Sequence, residues 1–475
     1  MNPVSAIHPD TPLRDTLDRQ RSAFLRDGAP SFSRRRDDLK KLRAAVVSQQ
    51  SEVEAALDKD FGHRSRHETA IMECLSVVQQ IDYLVRNLRR FMRPTRRHVA
   101  AAFRFGSARI EYQPLGVVGI MAPWNYPFAL ALTPLATALA AGNRAMIKPS
   151  EFTPATSGLL VGMLADLFRE DQVAVVTGDA AVGAAFSALA FDHLIFTGST
   201  QVGRAVMRAA SDNLVPVTLE LGGKSPVIVA KGHALGHAAA GIAFGKLGNG
   251  GQICVAPDYA LVHEDDLEAF VGAYDKAVAT LYPDGPTSDD YTSIINDRHF
   301  ARLNTMVNDA RAKGARVREV GAEPENAAKR PHTLAPTIVL GASDDMAIMQ
   351  EEIFGPVLPI LPYRDLDGAI AYVNARPRPL ALYYFGGDDA DRAKVLSRTT
   401  SGNVTINGTI MHYAQDDLPF GGVGPSGMGA YHGVEGFRSL SHAKGVYTQG
   451  RWNLSTFLRA PFGKFVDTTL KMMLR

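Results

Sequence analysis

Apolar residues recur at helical spacing in the first hundred residues of the chain. The segment Asp37–Asp60 keeps this spacing until Phe61-Gly62 ends it, which predicts one long helix. The segment His67–Met92 predicts a second helix, whose apolar stripe consists of Ile71, Cys74, Val77, Val78, Ile81 and Leu84. Because Cys74 falls on this stripe, we expect a buried structural thiol there.

Continuous apolar runs alternate with helical patterns from residue 115 to about residue 400. Runs of this kind are typical of parallel strands that are buried on both faces. They are Leu115–Ala122, Ala145–Lys148, Val173–Val176, His193–Phe196, Val217–Leu221, Pro226–Ala230 and Tyr259–His263. Helical patterns follow Pro127 and cover Pro154–Arg169, Gln201–Ala210 and His237–Leu247. The sequence therefore predicts an α/β fold with two blocks of parallel sheet, whose ligands bind where strands end and helices begin.

Two extended segments, Ala101–Tyr112 and Gly402–Ile410, flank the alternating blocks. We expect them to pair with each other as a small bridging sheet. Glycine is dense over Leu418–Gly433, so irregular backbone is expected in that segment.

The charge and cysteine content exclude several classes of protein. Lys and Arg total 51 against 49 Asp and Glu, and the formal net charge of +2 gives no overall attraction to nucleic acid or to an anionic membrane. Two cysteines do not make a disulfide framework, and they favour a reducing, cytoplasmic setting. The start of the chain has no secretory signal, and no apolar run reaches the roughly 20 residues of a bilayer span. We expect a soluble protein without a nucleic-acid or membrane partner.

One basic cluster has a structural explanation. It lies at the end of the second predicted helix, beside Pro94, and consists of Arg89, Arg90, Arg93, Arg96 and Arg97. Cations at a helix C-terminus complement the helix dipole, so this cluster does not indicate nucleic-acid binding.

Three residues combine reactive chemistry with a place at a strand or glycine-rich junction. Cys254 follows the glycine-rich GNGG segment, so it is either an activated nucleophile or a small buried hydrophobe. Glu220 lies in an apolar strand, as either a general base of raised pKa or a structural partner of Lys224. Asn125 follows the first strand, where its amide can cap the next helix or stabilise an oxyanion.

Phosphate and ribose groups have candidate sites at two further strand ends. The segment FTGSTQVG (Phe196–Gly203) predicts a strand, a glycine turn and a helix start, whose N–H groups can bind phosphate. It lacks the GxGxxG spacing, so it is a weak nucleotide signal on its own. Lys148 and Glu151 end the second strand, where a solvated surface position and ribose binding both fit.

Taken together, these motifs resemble those of the NAD(P)-dependent aldehyde dehydrogenase superfamily over nearly the whole chain. Within that family the sequence most resembles the class 3 branch, and coniferyl-aldehyde dehydrogenases most of all. The resemblance rests on APWNYP, IKPSE, FTGST, LELGGKSP, GQICVAPDY, EEIFGPV (Glu351–Val357) and LPFGGVGPSGMGAYHG (Leu418–Gly433) in this order.

The resemblance implies a reaction and a set of roles. Cys254 would attack an aldehyde to form a thiohemiacetal, whose oxyanion is held by the Asn125 amide and the Cys254 backbone N–H. Glu220 would then activate the water that hydrolyses the thioester to a carboxylic acid. NAD is the implied cofactor, with NADP also compatible, and no metal is expected. The implied cofactor-binding residues are Trp124, Lys148, Glu151, Gly198, Ser199, Gly203, Leu221, Glu352 and Phe354. Glu151 favours NAD, because a carboxylate accepts a hydrogen bond from a ribose 2′-hydroxyl and repels a 2′-phosphate.

Two positions depart from the family pattern. Asn407-Gly408 stands where the family usually has Asn-Asp, so any contact made by that carboxylate is missing. Ile253 precedes the nucleophile in place of a small polar residue, which makes the pocket more apolar and favours an aromatic or long aliphatic aldehyde. Four residues are candidates either for the wall of that pocket or for the core: Tyr126, Phe128, Met411 and Tyr413.

Two other functions compete with a hydrolytic aldehyde dehydrogenase. An acylating relative would pass the thioester to coenzyme A, but such branches generally lack the carboxylate that Glu220 supplies. A non-catalytic protein of the same fold would be expected to lose Cys254, Asn125 or Glu220, and the chain retains all three.

The resemblance also implies a domain arrangement and a homodimer. It predicts two Rossmann-like domains with a bridging element, and the bridging strands and the tail are expected at the dimer interface. The predicted ranges are 1–99 and 114–218 for the cofactor-binding domain, 219–401 for the catalytic domain, 100–113 and 402–445 for the bridging element, and 446–475 for the tail.

Overall fold

Five strands from the first half of the chain and one from near its end build a mostly parallel six-stranded sheet in the computed structural model, which describes residues 11–100, 103–321, 330–452 and 459–474. Its strands are β3 (Val117–Met121), β4 (Arg144–Lys148), β5 (Val173–Val175), β6 (His193–Thr197), β7 (Val217–Glu220) and β15 (Gly427–Met428). They lie in the order β15-β7-β6-β3-β4-β5, and β15 alone is antiparallel to its neighbour. The associated helices are α1 (Thr11–Asp27), α6 (Ala129–Ala141), α7 (Pro154–Leu167), α8 (Ala180–Ser187) and α9 (Thr200–Ser211).

A second, seven-stranded sheet follows, in the order β10-β11-β12-β9-β8-β13-β14. Its strands are β8 (Pro226–Val229), β9 (Tyr259–His263), β10 (Arg316–Glu319), β11 (Thr337–Leu340), β12 (Val357–Tyr363), β13 (Ala381–Phe385) and β14 (Asn403–Ile406). Only β10 pairs in the antiparallel sense. The helices of this part are α10 (Leu235–Leu247), α11 (Leu267–Leu281), α12 (Asp297–Ala312), α13 (Ala347–Gln350), α14 (Leu366–Asn374) and α15 (Asp389–Arg398). The predicted α/β fold with two parallel-sheet blocks is confirmed.

A third, small antiparallel sheet is separate from the other two, and its strands differ from those predicted for the bridging sheet. It consists of β1 (Thr95–Arg97), β2 (Ser107–Pro114) and β16 (Ser441–Thr448), with β2 in the centre. The predicted pairing of Ala101–Tyr112 with Gly402–Ile410 is wrong, because β14 instead extends the second sheet alongside β13. Val404 and Ile406 pack against the core of that sheet, which explains the choice of partner. Ala101 and Ala102 lie outside the described residues.

The division into domains stays a prediction, but two of its boundaries fall inside strands. The boundary at 218/219 divides β7, and the boundary at 445/446 divides β16, which pairs with β2 over its whole length. Part of the predicted tail therefore belongs to the three-stranded sheet. The remainder includes α17 (Lys464–Met473), whereas residues 453–458 and 475 of that tail lie outside the described part.

The N-terminal helices differ in detail from the predicted pair. The first predicted helix is divided at Gln49, with φ −107° and ψ 21°, into α2 (Phe32–Ser48) and α3 (Gln50–Phe61). Gly62 ends α3 with φ 74°, as expected for glycine in a left-handed cap. The second helix is continuous but contains a wider turn: α4 (Arg66–Thr69), a π-helical segment Ala70–Leu75 and α5 (Ser76–Phe91). π-Helical turns occur frequently at functional sites.

One hydrophobic core joins the N-terminal helices to both large sheets. It contains Leu39, Leu57 and Val77 from the helices, Val118 from the first sheet and Tyr383 from the second. Short 3-10 turns at Gly248–Gly251, Glu264–Asp266 and Gly285–Thr287 and the helix α16 (Gly433–Ser439) complete the described elements. Within the described ranges, no helix combines the length and apolar character that a membrane span requires.

Candidate active site

Six of the predicted site residues lie at the carboxyl edge of the first sheet. Trp124 and Asn125 follow β3, Lys148 ends β4, Gly198 and Ser199 follow β6, and Glu220 ends β7. In a parallel sheet the carboxyl ends of neighbouring strands share one edge, so the chain brings these residues together although they are far apart in sequence.

Cys254 lies beside a cavity of about 240 Å³. The cavity walls are mainly apolar, and they include Met72, Tyr126, Phe244, Ile253, Met411 and Tyr413. Three of the four predicted pocket residues therefore line the cavity. Phe128 does not, because it is completely buried in the core.

The thiol of Cys254 is protonated in this environment. Burial raises its pKa to about 12, and the negative charges of Glu352 and Glu220 act in the same direction. The backbone N–H groups of Cys254 and Val255 oppose this shift by hydrogen bonding to the thiolate form. The thiol therefore needs a base for nucleophilic attack, and two N–H donors already face its sulfur.

Glu220 is a buried carboxyl group that has no cationic partner in the described part of the chain. Its side chain is 2% exposed, and among the described residues neither of its carboxylate oxygens has a hydrogen-bond partner. Burial raises its pKa well above the ordinary value. The charge of Glu220 in turn raises the pKa of Cys254, so the two groups interact. An uncompensated carboxylate that interacts with a thiol has the properties of a general base.

Lys224 is not the partner of Glu220, so the structural alternative for that carboxylate is wrong. The Lys224 ammonium group forms an ion pair with Asp258 and donates to the backbone oxygens of Ile348 at 2.7 Å and Glu351 at 3.0 Å. The glycine-rich segment instead covers Glu220: a Cβ atom on Gly421 would lie 3.2 Å from its Oε1.

Asn125 places its side-chain amide beside the Cys254 loop. Its Nδ2 donates to the backbone oxygen of Gln252 at 3.0 Å, two residues before the cysteine, and the residue is 4% exposed. Asn125 does not cap α6, because the residue at that position is Phe128. The N-terminal N–H of Ala129 donates instead to the Glu73 carboxylate at 2.6 Å, so the capping interpretation of Asn125 is wrong.

The predicted nucleotide-binding residues form a continuous edge. Lys148 Nζ donates to Glu151 Oε2 at 2.8 Å. Burial raises the pKa of Glu151, but the hydrogen bond and charge of Lys148 outweigh it, so the net pKa is lowered and the carboxylate is ionised. Ser199 caps α9 by accepting from the N–H of Val202 at 3.4 Å, and the Gly198 N–H donates to the Glu220 backbone oxygen at 3.0 Å.

Two glycines allow close packing where this edge meets Leu221 and Glu352. A Cβ atom on Gly203 would lie 2.6 Å from Leu221 Cδ2, so α9 packs closely on the residue after β7. A Cβ atom on Gly222 would lie 2.0 Å from Glu352 Oε2. Burial and the charge of Asp258 raise the pKa of Glu352 to about 8, although the Gly223 N–H opposes this.

Aromatic rings gather around Trp124, the residue that follows β3 at this edge. The rings of Trp124 and Phe354 are 5.4 Å apart in an edge-to-face arrangement, and His299 lies 4.7 Å from Trp124. Phe354 has φ 54°, an unusual backbone conformation for a residue with a bulky side chain. A helix N-terminus, a Lys–Glu pair and this aromatic group together fit a dinucleotide with phosphate, ribose and ring components.

Comparison with known proteins agrees with this geometry. Residues 14–446 match the aldehyde dehydrogenase family. The chain belongs to that family. A probable coniferyl aldehyde dehydrogenase of Pseudomonas aeruginosa is 52% identical over 94% of this chain and 93% of the relative. A coniferyl aldehyde dehydrogenase of a Pseudomonas species, strain HR199, is 47% identical over 97% of this chain and 96% of the relative.

A solved structure extends the likeness to three dimensions. The substrate-bound state of Staphylococcus aureus AldH has a TM-score of 0.90 and 36% sequence identity, and the match covers 98% of this chain and 99% of the other. The aldehyde dehydrogenase fold is therefore confirmed. The protein is an oxidoreductase that acts on aldehydes with NAD(P)⁺, which excludes the non-catalytic alternative.

Sequence reasoning missed the cavity wall formed by the N-terminal helices. Ile71 was expected on a core-facing stripe, but it is 59% exposed and lines the cavity with Met72 and Leu75. The π-helical turn changes the angular position of these residues, so a regular helical period does not describe their orientation. A second missed feature is the buried pair Arg64 and Glu73 behind this wall.

Proposed function

We propose that this protein oxidises an aromatic aldehyde of the coniferyl type to its carboxylic acid with NAD(P)⁺, through a covalent intermediate on Cys254. The main support is the uncompensated Glu220 carboxylate, which interacts with the thiol beside an apolar cavity. In its ionised form Glu220 takes the thiol proton, and the thiolate attacks the aldehyde carbon to form a thiohemiacetal. The Asn125 amide and the Cys254 N–H stabilise the oxyanion.

The cofactor supplies the oxidant. When bound, NAD(P)⁺ would supply the hydride acceptor that converts the thiohemiacetal to a thioester on Cys254. Lys148 and Glu151 would hold the adenosine ribose, the start of α9 the pyrophosphate, and Glu352 and Phe354 the nicotinamide end.

Hydrolysis completes the cycle. Glu220 removes a proton from water, the resulting hydroxide attacks the thioester carbon, and the carbon–sulfur bond breaks to release the acid and the Cys254 thiolate. A base buried beside the acyl group supports this route over transfer to coenzyme A, which does not require activated water. Addition of coenzyme A is therefore expected to leave the rate and the carboxylic acid product unchanged.

The cavity supports an aromatic substrate. Tyr126, Ile253, Phe244 and Met411 supply apolar area near the thiol, and the relatives named coniferyl aldehyde dehydrogenase match almost the whole chain. Burial of an aromatic ring contributes up to about 3 kcal/mol, which corresponds to roughly a 100-fold preference in kcat/KM over acetaldehyde.

An NAD(P)H-production assay tests this proposal. Coniferyl aldehyde, cinnamaldehyde, hexanal, decanal and acetaldehyde would be compared with NAD⁺ and NADP⁺ side by side. We expect coniferyl aldehyde and cinnamaldehyde to exceed acetaldehyde by about 100-fold. A preference for decanal over both aromatic aldehydes would replace the aromatic substrate with a long aliphatic one.

The same assay tests cofactor choice. We propose that NAD⁺ gives the higher kcat/KM, because the ionised Glu151 repels a 2′-phosphate. Glu151→Gln should reduce the difference in kcat/KM between NAD⁺ and NADP⁺. A higher kcat/KM with NADP⁺ for the unaltered enzyme would refute this role for Glu151.

We also propose a homodimer in a reducing, cytoplasmic setting. The small sheet leaves β1 and β16 as edge strands, and unpaired edge strands are suited to association. Light scattering after size-exclusion chromatography would measure the mass in solution, and a monomer at micromolar concentration would contradict the proposed assembly.

A further inference from the structure

Arg64 is a buried cation that contacts the active-site segment from behind the cavity. It lies between α3 and α4 and is 2% exposed. Its Nη1 donates to the backbone oxygen of Asn125 at 3.0 Å. Its guanidinium carbon lies 4.6 Å from the ring centre of Phe61 and 5.0 Å from that of Tyr126. No step of the proposed reaction uses this charge, which leaves its burial to be explained.

Glu73 connects the same cation to the start of α6. Arg64 Nη2 lies 3.3 Å from Glu73 Oε1, and both side chains are fully buried. Glu73 Oε2 accepts from the N–H of Ala129 at 2.6 Å, and the Phe128 N–H also donates to this carboxylate. The Arg64–Glu73 pair therefore holds both ends of the short segment from Asn125 to Ala129.

The Asn125 backbone oxygen has a second fixed donor. Asn249 Nδ2 donates to it at 3.0 Å and to the Gln252 backbone oxygen at 3.2 Å. The side-chain nitrogen of Asn125 carries two hydrogens, and one of them is used on the same Gln252 oxygen at 3.0 Å. These contacts fix the direction of the other hydrogen, which is the one available to an oxyanion.

We propose that Arg64 is a positioning residue for aldehyde oxidation: its guanidinium group anchors the Asn125 backbone so that the Asn125 amide meets the oxyanion formed at Cys254. This inference rests on the proposed roles of Asn125 and Cys254. A displacement of about 1 Å at a reacting group costs on the order of 100-fold in rate, so a backbone anchor has a large effect without touching substrate. The planar guanidinium group suits this task, because it donates to the Asn125 carbonyl in a fixed direction while its charge is paired with Glu73.

Arg64→Met tests the proposal with a side chain of similar length that cannot donate. We expect kcat to fall about 30-fold with little change in the aldehyde KM, since an oxyanion contact acts mainly in the transition state. The NADH burst in a single turnover should slow by the same factor, and NAD⁺ affinity should not change. Arg64→Lys keeps the positive charge but lacks the planar guanidinium group. Its kcat should therefore lie between that of Arg64→Met and that of the unaltered enzyme.

Arg35→Met provides the matched control. Arg35 is also buried, at 4% exposed, and donates to the backbone oxygens of Ala140 at 3.1 Å and Ala141 at 2.7 Å. These carbonyls belong to the opposite end of α6 from Asn125. A general loss of support for α6 would lower the thermal midpoint and kcat alike in both variants. We expect Arg35→Met to lower the midpoint only.

A double-mutant cycle with Asn125→Ala decides whether Arg64 acts through Asn125. If it does, Arg64→Met should lower kcat by less than about 3-fold in the Asn125→Ala background, because the amide that Arg64 positions is already absent. A full additional 30-fold loss would overturn the inference, as would an Arg64→Met enzyme with unaltered kcat. Should Arg64→Met fail to fold, the same cycle applies to Arg64→Lys, whose smaller loss must likewise disappear.

The single variant Asn125→Ala separates this inference from the proposed function. A loss of at least about 100-fold supports the oxyanion role, and additivity with Arg64→Met then overturns only the positioning role. An Asn125→Ala enzyme with unaltered kcat would overturn the oxyanion role itself, and the inference about Arg64 with it.

Discussion

The two cysteines of the chain each have a buried glutamate nearby, and the two regions differ in what that glutamate contacts. Cys74 follows Glu73 in the π-helical segment, and Cys254 interacts with Glu220 beside the cavity. Burial is the main reason why the pKa of each thiol rises to about 12. A shifted thiol pKa therefore does not distinguish a nucleophile from a core residue.

The contacts of the two glutamates, Glu73 and Glu220, distinguish the two cysteine regions. Burial raises the pKa of Glu73 to about 7, but the charge of Arg64 and two backbone N–H groups oppose the shift. Burial also raises the pKa of Glu220, and no contact within the described ranges opposes that shift. Glu73 therefore has the contacts of a structural anion, whereas both side-chain oxygens of Glu220 lack a hydrogen-bond partner among the described residues, and Glu220 interacts with Cys254.

Cys254→Ser should have the largest effect on activity. A hydroxyl is a much weaker nucleophile than a thiolate, so aldehyde oxidation should fall by about 10⁴-fold or more. NAD⁺ binding, measured by protein fluorescence quenching, should be retained, because the sulfur is not among the proposed nucleotide contacts. Residual oxidation above about 1% of the unaltered rate would contradict a covalent role for Cys254.

Glu220→Gln should slow hydrolysis by about 10²- to 10³-fold, because an amide cannot accept the proton of water. The acyl-enzyme should then accumulate and be detectable by intact-protein mass spectrometry after mixing with coniferyl aldehyde and NAD⁺. Glu73→Gln is the matched comparison from the Cys74 region and should accumulate no adduct. Equal turnover without an adduct in Glu220→Gln would show that another group activates the water.

The pH dependence of kcat/KM should reflect the Cys254 region alone. The proposed reaction uses deprotonated forms of Cys254 and Glu220, and burial raises both pKa values. Activity should therefore rise with pH between about pH 6 and pH 9, and fall as the pH is lowered and these groups bind protons. Glu220→Gln should change the shape of this profile. A flat profile over that range would contradict the requirement for these two deprotonated groups.

The sequence was sufficient for the buried parallel strands between residues 115 and 263, and for the place of several candidate residues at the ends of those strands. Continuous apolar runs identify the buried parallel strands, and their carboxyl ends carry Asn125, Lys148 and Glu220. The fold then has little freedom in where these side chains meet, because parallel strands end at a common edge. The pairing of strands that are distant in sequence could not be predicted in the same way. The pattern of Gly402–Ile410 predicts an extended segment, but its neighbouring strand is determined by the packing of Val404 and Ile406 against a core formed by distant residues.

Buried ion pairs were also beyond the reach of sequence reasoning. Lys224 lies four residues from Glu220, yet its partner is Asp258, which the fold brings close from another strand end. Arg64 stands among charged neighbours, and its identity does not reveal that it is 2% exposed. Ile71 was misplaced for a related reason, since a single π-helical turn rotates residues away from the regular helical period.

Cys74→Ser should have the smallest effect on activity, and it completes the comparison because it is the same chemical change as Cys254→Ser. Cys74 is 5% exposed in the core, where a hydroxyl in place of the thiol costs about 1–3 kcal/mol of stability if it lacks a full set of hydrogen bonds. The thermal midpoint should therefore fall while kcat stays within about 2-fold of the unaltered enzyme, because Cys74 is absent from the cavity lining. Iodoacetamide labelling read by mass spectrometry should modify Cys254 and spare Cys74 in the folded protein. A Cys74→Ser enzyme of normal stability and strongly reduced kcat would show that the two regions do not divide structure from chemistry in this way.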